Sequence, residues 1–143
     1  MKINWSGRAH KFSNSDIKYL VEIIKNADPM TQGSYLKKFE KNFSKFIKKK
    51  NVFALSSAAS ALEIIAALLN IKKNDEIIVP AHTYCASAIP FARNGAKLIW
   101  ADINFYTRTI DLNDFKKKVT KKTRAVVIVH LYGYAVDFSN IIN

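Results

Sequence analysis

The sequence predicts an α/β fold in which a mostly parallel sheet is covered by helices on both faces and is preceded by two helices. Two observations support this prediction. Short apolar segments alternate with helical ones from Asn51 to Gly133, and their spacing leaves room for a crossover helix between successive strands. The strand segments AVVIV, EIIVP and KLIWA are continuously apolar, which is typical of parallel strands buried on both faces.

Two amphipathic helices are predicted ahead of the sheet. From Ser15, the segment SDIKYLVEIIKN has a serine N-cap, an acidic first turn and apolar residues along one face, so we expect a helix that ends near Asn26. Pro29 and Gly33 mark the loop that follows. The second helix is predicted over about residues 35–47.

The alternating region supplies the remaining elements. Strands are predicted at 52–55, 76–80, 97–101 and 124–130, and helices at 58–69, 84–94, 111–118 and from about residue 136. This pattern suggests an N-terminal arm with two helices over 1–50 and a sheet region over 51–143. Because the last helix is only begun and the sheet edge would be uncovered, we expect the chain to be the front part of a larger domain.

Composition limits the class of protein. Cys85 is the single cysteine and cannot form an intramolecular disulfide, and it does not lie at metal-ligand spacing from His10, His82 or His130. We therefore expect no metal site and a reducing, cytoplasmic location. The N-terminus lacks the apolar core of a signal peptide, and no apolar run approaches the ~20 residues that cross a bilayer, so no membrane contact is expected.

The chain is strongly basic, with 23 Lys and Arg residues, 11 Asp and Glu residues and a formal net charge of +12. The positive charge is concentrated in residues 37–50 and 116–124. One interpretation is a surface that attracts nucleic acid or phosphate. The alternative, which we favour, is that the lysines are solvated helix faces and that Phe39, Phe43 and Phe46 point into a core, which leaves no aromatic residue for base stacking.

The turn after the first predicted strand is the first candidate for chemistry. Four small residues, Ser57, Ala58, Ala59 and Ser60, begin a predicted helix there. The free N–H groups and positive dipole end of a helix favour a phosphate, and small side chains let it approach. Tight packing would select the same residues, and the sequence contains neither GxGxxG nor a P-loop motif.

Aromatic and polar residues follow the other predicted strands. Tyr84 comes just after the second strand, where its ring could stack on a heterocycle or belong to the core. The further candidates for binding a polar ligand, each ordinary by itself, are His82, Asp102, His130 and Tyr132.

Taken in order, five segments resemble the DegT/DnrJ/StrS group of sugar aminotransferases, which use pyridoxal 5′-phosphate (PLP) on the fold of aspartate aminotransferase. The segments are MTQGSYLKKFEKNFSKFI, ALSSAASAL, NDEIIVPAHTYCASA, GAKLIWADI and VIVHLYGYAVD. The resemblance implies a partial large domain of a fold-type-I PLP transferase. It also implies that Ser57, Ala58, Ala59 and Ser60 hold the cofactor phosphate and that Tyr84 stacks on the pyridine ring.

The resemblance further implies the reaction and its partners. Members of the group transfer the amino group of glutamate to a nucleotide-linked keto-sugar for polysaccharide or glycoconjugate synthesis, and they work as homodimers. Some relatives carry histidine in place of the catalytic lysine and perform dehydration instead. No nucleic acid partner is implied.

Two departures from the group's pattern affect these expectations. The group usually has a threonine at the position of Ala59, and losing a hydrogen bond to a charged group costs about 1.5–3 kcal/mol unless Ser57 or Ser60 compensates. In the group, the aspartate for the pyridinium nitrogen and the Schiff-base lysine lie beyond the segment HLYG, past Asn143. We therefore expect the isolated chain to be inactive. The alternative is a non-catalytic truncated protein or a partner of a full-length relative.

Overall fold

A computed structural model describes residues 11–137 and Ser139. The chain forms two compact units, Met1–Ala54 and Leu55–Asn143. Our sequence-based division lies a few residues earlier, between 50 and 51. Most of the helix predicted from about residue 136 lies outside the described residues, and Val136 and Asp137 themselves are not helical.

Two helices make up the described part of the first unit. Helix α1 spans Asn14–Asn26, and helix α2 spans Ser34–Ile47. Helix α1 begins with a capping box, in which the Ser13 hydroxyl accepts a bond from the Asp16 N–H (3.2 Å) and the Asp16 carboxylate accepts one from the Ser13 N–H (2.8 Å). The predicted cap at Ser15 is therefore wrong, because the helix starts two residues earlier.

The aromatic residues of α2 are not buried within their own unit. Phe39, Phe43 and Phe46 are 54%, 41% and 81% exposed, although Phe39 and Phe43 stack on each other with ring centroids 5.7 Å apart. The helical spacing of these residues was predicted correctly, but the expectation that they enter a core is wrong. Two helices alone offer too little apolar surface to cover a row of phenylalanines.

The second unit contains the sheet. Its elements are α3 (Ala58–Leu68), β1 (Glu76–Pro80), a 3₁₀ turn (Cys85–Ser87), α4 (Ile89–Arg93), β2 (Lys97–Ala101), α5 (Leu112–Lys118), β3 (Thr123–Val126) and a second 3₁₀ turn (Leu131–Gly133). The strands pair in the order β2–β1–β3, and both pairings are parallel. The predicted strands at 76–80 and 97–101 are confirmed to the residue. None of the helices in the described ranges is long and apolar enough to cross a membrane.

Three predicted elements differ from the structure. Residues 52–55 form no strand, because their backbone pairs with no other strand among the described residues; the Ala54 N–H instead donates to Glu40 Oε1 at 2.9 Å. The sheet thus has three described strands rather than four. The helix predicted at 84–94 is divided into a 3₁₀ turn and a short α4, whose first turn contains Pro90. The fourth predicted strand ends at Val126, well before residue 130.

The prediction of helices on both faces of the sheet is confirmed. On one face, Ile77 and Val79 of β1 pack with Ala66 of α3 and Phe91 of α4. On the other face, Ile78 packs in a cluster whose further buried members are Ala101, Ile110, Phe115 and Val136. All five residues of β1 are buried, since it is the central strand with a layer of side chains on each side.

A buried carboxylate closes the amino end of β1. Glu76 is 6% exposed, its Oε2 accepts a hydrogen bond from the Thr120 hydroxyl at 2.6 Å, and its Oε1 lies 3.6 Å from Lys97 Nζ. The Thr120 hydrogen bond is the largest influence on the pKa of Glu76, and together with Lys97 it holds that pKa below its ordinary value although burial opposes the shift. Ionised Glu76 therefore stabilises the fold.

Replacing Thr120 by valine is expected to raise the pKa of Glu76 and to lower the free energy of unfolding at neutral pH. Because the folded-state pKa of Glu76 is depressed, its contribution is present above the ordinary pKa and is lost as the pH falls through the folded-state value. The difference between Thr120→Val and the unmodified chain should thus shrink in acid. An NMR titration of the Glu76 carboxyl and urea unfolding at several pH values measure both effects. Thr120→Ser keeps the hydroxyl and should behave as the unmodified chain; equal losses in both variants would contradict the assignment.

Candidate functional site

The turn before α3 has the geometry of a capped helix start. Ser57 is the N-cap with extended backbone, and its hydroxyl accepts a hydrogen bond from the Ser60 N–H at 3.1 Å. Because the first N–H groups of a helix have no partner within it, those of Ala58 and Ala59 remain available to a ligand. The predicted position of these four residues at a helix N-terminus is what the structure shows.

Three serine hydroxyls cluster at this turn. Ser60 Oγ lies 2.9 Å from Ser56 Oγ and 3.0 Å from Ser57 Oγ, and all three side chains are accessible. Ser56 was not among the predicted site residues. Helical spacing does not identify it, because Ser56 precedes the N-cap and its contact with Ser60 depends on the extended backbone of Ser57.

The electrostatics of the turn favour an anion. The first turn of α3 contains no acidic residue, so no carboxylate of that turn offsets the positive end of the helix dipole. A phosphate monoester needs several donors around its oxygens, and the turn offers hydroxyl and backbone N–H donors on small residues. The donor set therefore fits a phosphate group.

Tyr84 lies beyond the carboxyl end of β1 and is 76% exposed. Its carbonyl accepts a hydrogen bond from the Ser87 N–H at 2.9 Å, which closes the Cys85–Ser87 turn. Helix α3 contacts this turn, so the segment that follows Tyr84 and the helix that carries the serine turn are neighbours. The alternative interpretation of Tyr84 as a core residue is wrong, because an exposed ring leaves a face available for stacking.

Two of the four remaining candidates serve the local structure. The Asp102 carboxylate accepts a hydrogen bond from the Ile103 N–H (2.8 Å), and the Asp102 N–H donates to Asp114 Oδ2 (2.6 Å). This backbone bond is the first cause of a lowered Asp114 pKa, and Lys118 is the next. His130 Nδ1 accepts from the Val136 N–H at 3.0 Å, which ties the segment after β3 to the core.

The other two candidates meet each other. The rings of His82 and Tyr132 lie 6.2 Å apart between centroids and are inclined at 67°. His82 follows β1 and Tyr132 follows β3, and these strands are parallel neighbours. Within the described part of the chain, no group of three or more His, Cys, Asp or Glu side chains is arranged to hold a metal ion.

Comparison with known proteins identifies the family. The model of the DegT/DnrJ/EryC1/StrS aminotransferase family matches residues 11–143. This chain belongs to that family. GDP-perosamine synthase from Vibrio cholerae is 36% identical over 124 residues, which are 87% of this chain and 34% of the relative. The dTDP-3-amino-3,6-dideoxy-alpha-D-galactopyranose transaminase of Aneurinibacillus thermoaerophilus is 32% identical over 109 residues, 76% of this chain and 30% of the relative.

A solved structure of the family confirms the fold. The GDP-4-keto-6-deoxy-D-mannose-3-dehydratase of E. coli with bound hydrated PLP matches this family member with a TM-score of 0.87 and 29% identity, over 99% of this chain and 38% of that one. The expected partial PLP-transferase fold is thus confirmed. The chain spans about a third of the length of the relatives it matches.

Proposed function

We propose that this chain provides the phosphate- and ring-binding part of a PLP site in an enzyme that aminates a nucleotide-linked keto-sugar. The observation that carries the proposal is the serine-rich N-terminus of α3, which offers phosphate donors in a chain that matches an aminotransferase family over residues 11–143. PLP, when bound, supplies an electron sink for carbanion chemistry next to nitrogen.

The residues of this chain bind and orient the cofactor. Ser57 and Ser60 supply hydroxyls, and Ala58 and Ala59 supply backbone N–H groups to the phosphate. The missing threonine hydroxyl at position 59 is replaced by Ser60, whose hydroxyl is already held in the serine cluster. Tyr84 presents a flat face for the pyridine ring. These contacts would bind and orient the cofactor.

The family supports the substrate class and the assembly that we propose. Two relatives are named for GDP-perosamine and for a dTDP-linked amino sugar, which supports a nucleotide-linked keto-sugar as the acceptor. Glutamate as the amino donor, a homodimer and a cytoplasmic location complete the proposal. A dehydratase is the second candidate, because a GDP-4-keto-6-deoxy-D-mannose-3-dehydratase matches the fold.

The binding half of the proposal is tested with pyridoxine 5′-phosphate, which has an alcohol in place of the aldehyde and does not react with surface lysines. We expect calorimetry to show that it binds this chain more tightly than pyridoxine, which lacks the phosphate. Inorganic phosphate should compete with it. Equal affinities for pyridoxine and its phosphate ester would refute the proposed phosphate site.

We also propose that these 143 residues do not transaminate by themselves, because the resemblance assigns none of their lysines to the Schiff-base position. Incubation with PLP, glutamate and a nucleotide-linked keto-sugar should yield no amino sugar by mass spectrometry. Turnover at a rate typical of enzymes would contradict this and would favour a complete catalyst over a binding fragment or a non-catalytic partner.

A further inference from the structure

The side chains of His82 and Tyr132, which follow the neighbouring strands β1 and β3, contact each other beyond the strand ends. His82 lies two residues beyond Pro80, the last residue of β1, and Tyr132 lies in the 3₁₀ turn that follows β3. Both therefore lie at the carboxyl edge of the sheet, as Tyr84 does. Ligands of open α/β sheets bind at this edge.

Tyr132 is held in an unfavourable backbone conformation. Its φ and ψ are 54° and 22°, in the left-handed region that bulky residues rarely occupy, and Gly133 follows with φ of 86°. Two backbone hydrogen bonds close the turn, Gly133 N–H to His130 O (3.2 Å) and Tyr134 N–H to Leu131 O (3.0 Å). Tyr132 is 78% exposed, so core packing does not require a tyrosine at this position. Such strain is concentrated at functional sites.

The polar atoms of this pair are available for a ligand. Among the described residues, neither the His82 imidazole nor the Tyr132 hydroxyl makes a hydrogen bond, whereas Asp102 and His130 are occupied by nearby backbone N–H groups. An imidazole offers a donor and an acceptor, and a phenol offers both in one group.

The angle between the rings favours a puckered ligand over a flat one. Two rings inclined at 67° form a corner rather than a slot, so a pyridine ring cannot stack on both. A sugar ring has apolar C–H groups that pack on an aromatic face and hydroxyl or carbonyl oxygens at its rim. An aromatic corner with hydrogen-bonding groups at its edges matches both features.

We propose that His82 and Tyr132 form the contact surface for the sugar ring of the nucleotide-linked substrate. This inference rests on the proposed function and adds the residues that contact the sugar ring. The Tyr132 ring packs against the sugar ring, and its hydroxyl donates or accepts a hydrogen bond. The His82 imidazole forms a hydrogen bond with a second oxygen of the sugar. The strained turn keeps the tyrosine in place before the sugar arrives.

The test separates sugar binding from nucleotide and cofactor binding. Calorimetry on the 143-residue chain loaded with pyridoxine 5′-phosphate compares GDP-mannose, dTDP-glucose and UDP-N-acetylglucosamine with their nucleoside diphosphates. We expect at least one sugar nucleotide to bind about tenfold more tightly than its own diphosphate, as one or two added hydrogen bonds allow. Tyr132→Gly removes the phenol ring, and glycine adopts the left-handed conformation without strain. This variant should therefore fold but lose the gain in affinity that the sugar provides.

Two further variants complete the design. His82→Ala should also reduce the gain from the sugar, while Tyr106→Ala, at a tyrosine that is 87% exposed in the loop after β2, should leave it unchanged. Affinity for pyridoxine 5′-phosphate should not change in any of them. This inference alone is overturned if the gain in affinity from the sugar persists in both Tyr132→Gly and His82→Ala. It is also overturned if the unmodified chain shows no such gain. An unmodified chain without affinity for pyridoxine 5′-phosphate overturns the proposed function and this inference with it.

Discussion

Replacing Ala59 by aspartate is expected to weaken the binding of pyridoxine 5′-phosphate by about a hundredfold or more, through charge repulsion at a few ångströms. Ala59 is exposed in the first turn of α3, beside the N–H groups and hydroxyls that we assign to the phosphate. An aspartate there places a carboxylate next to the phosphate and also occupies the free N–H groups. Both effects act against the ligand, and neither requires the fold to change.

The same substitution should leave the helix intact or make it more stable. A carboxylate in the first turn interacts favourably with the helix dipole, by about 0.3–1 kcal/mol. Weaker ligand binding together with equal or higher stability cannot be explained by unfolding. Circular dichroism during thermal unfolding, measured alongside calorimetric titration, gives both quantities for one sample.

Asparagine at the same position is the matched control. Ala59→Asn has almost the shape of Ala59→Asp and no charge, so it should lose far less affinity. High salt should narrow the difference between the two variants, since the screening length falls to about 3 Å at 1 M. If the two variants bind equally well at low salt, the ligand phosphate does not lie at this helix terminus.

The sequence predicts best those features that depend on a few adjacent residues, such as one strand or one helix terminus. The segments EIIVP and KLIWA are apolar runs with clear stops, and the structure has strands at just these residues, although only EIIVP is buried along its whole length. The serine turn was also predictable, because an N-cap depends on a few adjacent residues. The short apolar segment NVFAL failed as a strand because a strand exists only through its partner, which no local pattern reveals.

Contacts between segments that are far apart in the sequence could not be predicted from local patterns. His82 and Tyr132 are 50 positions apart, and their meeting depends on the β1–β3 register, which contains an irregularity between Glu76 and Ile77. The same holds for the hydrogen bond that His130 Nδ1 accepts from the Val136 N–H, which no local pattern predicts. Four similar candidates thus separated into two that hold the structure and two that remain available.

The central strand determines whether any of this site forms, and Ile78→Ala should cost about 2–5 kcal/mol of unfolding free energy. Ile78 has no exposed surface and packs against Ala101, Ile110 and Phe115 on the face of the sheet opposite α3 and α4. Truncation leaves a cavity between strand and helix that the surrounding side chains cannot fill completely. The loss should appear in urea unfolding followed by Trp100 fluorescence in a Trp5→Phe background, which reports on the second unit.

Ile64→Ala makes the identical chemical change on α3 at a side chain that is 47% exposed, and it should cost about 1 kcal/mol or less. The comparison isolates burial, because both variants lose the same atoms from the same unit. Since Ile78 lies on the face away from α3, its loss should reduce ligand affinity only through the unfolded fraction. Titrations of Ile78→Ala under stabilising conditions should therefore recover the affinity of the unmodified chain. A similar stability loss in both variants would mean that the two faces of β1 are not the core on which the site is built.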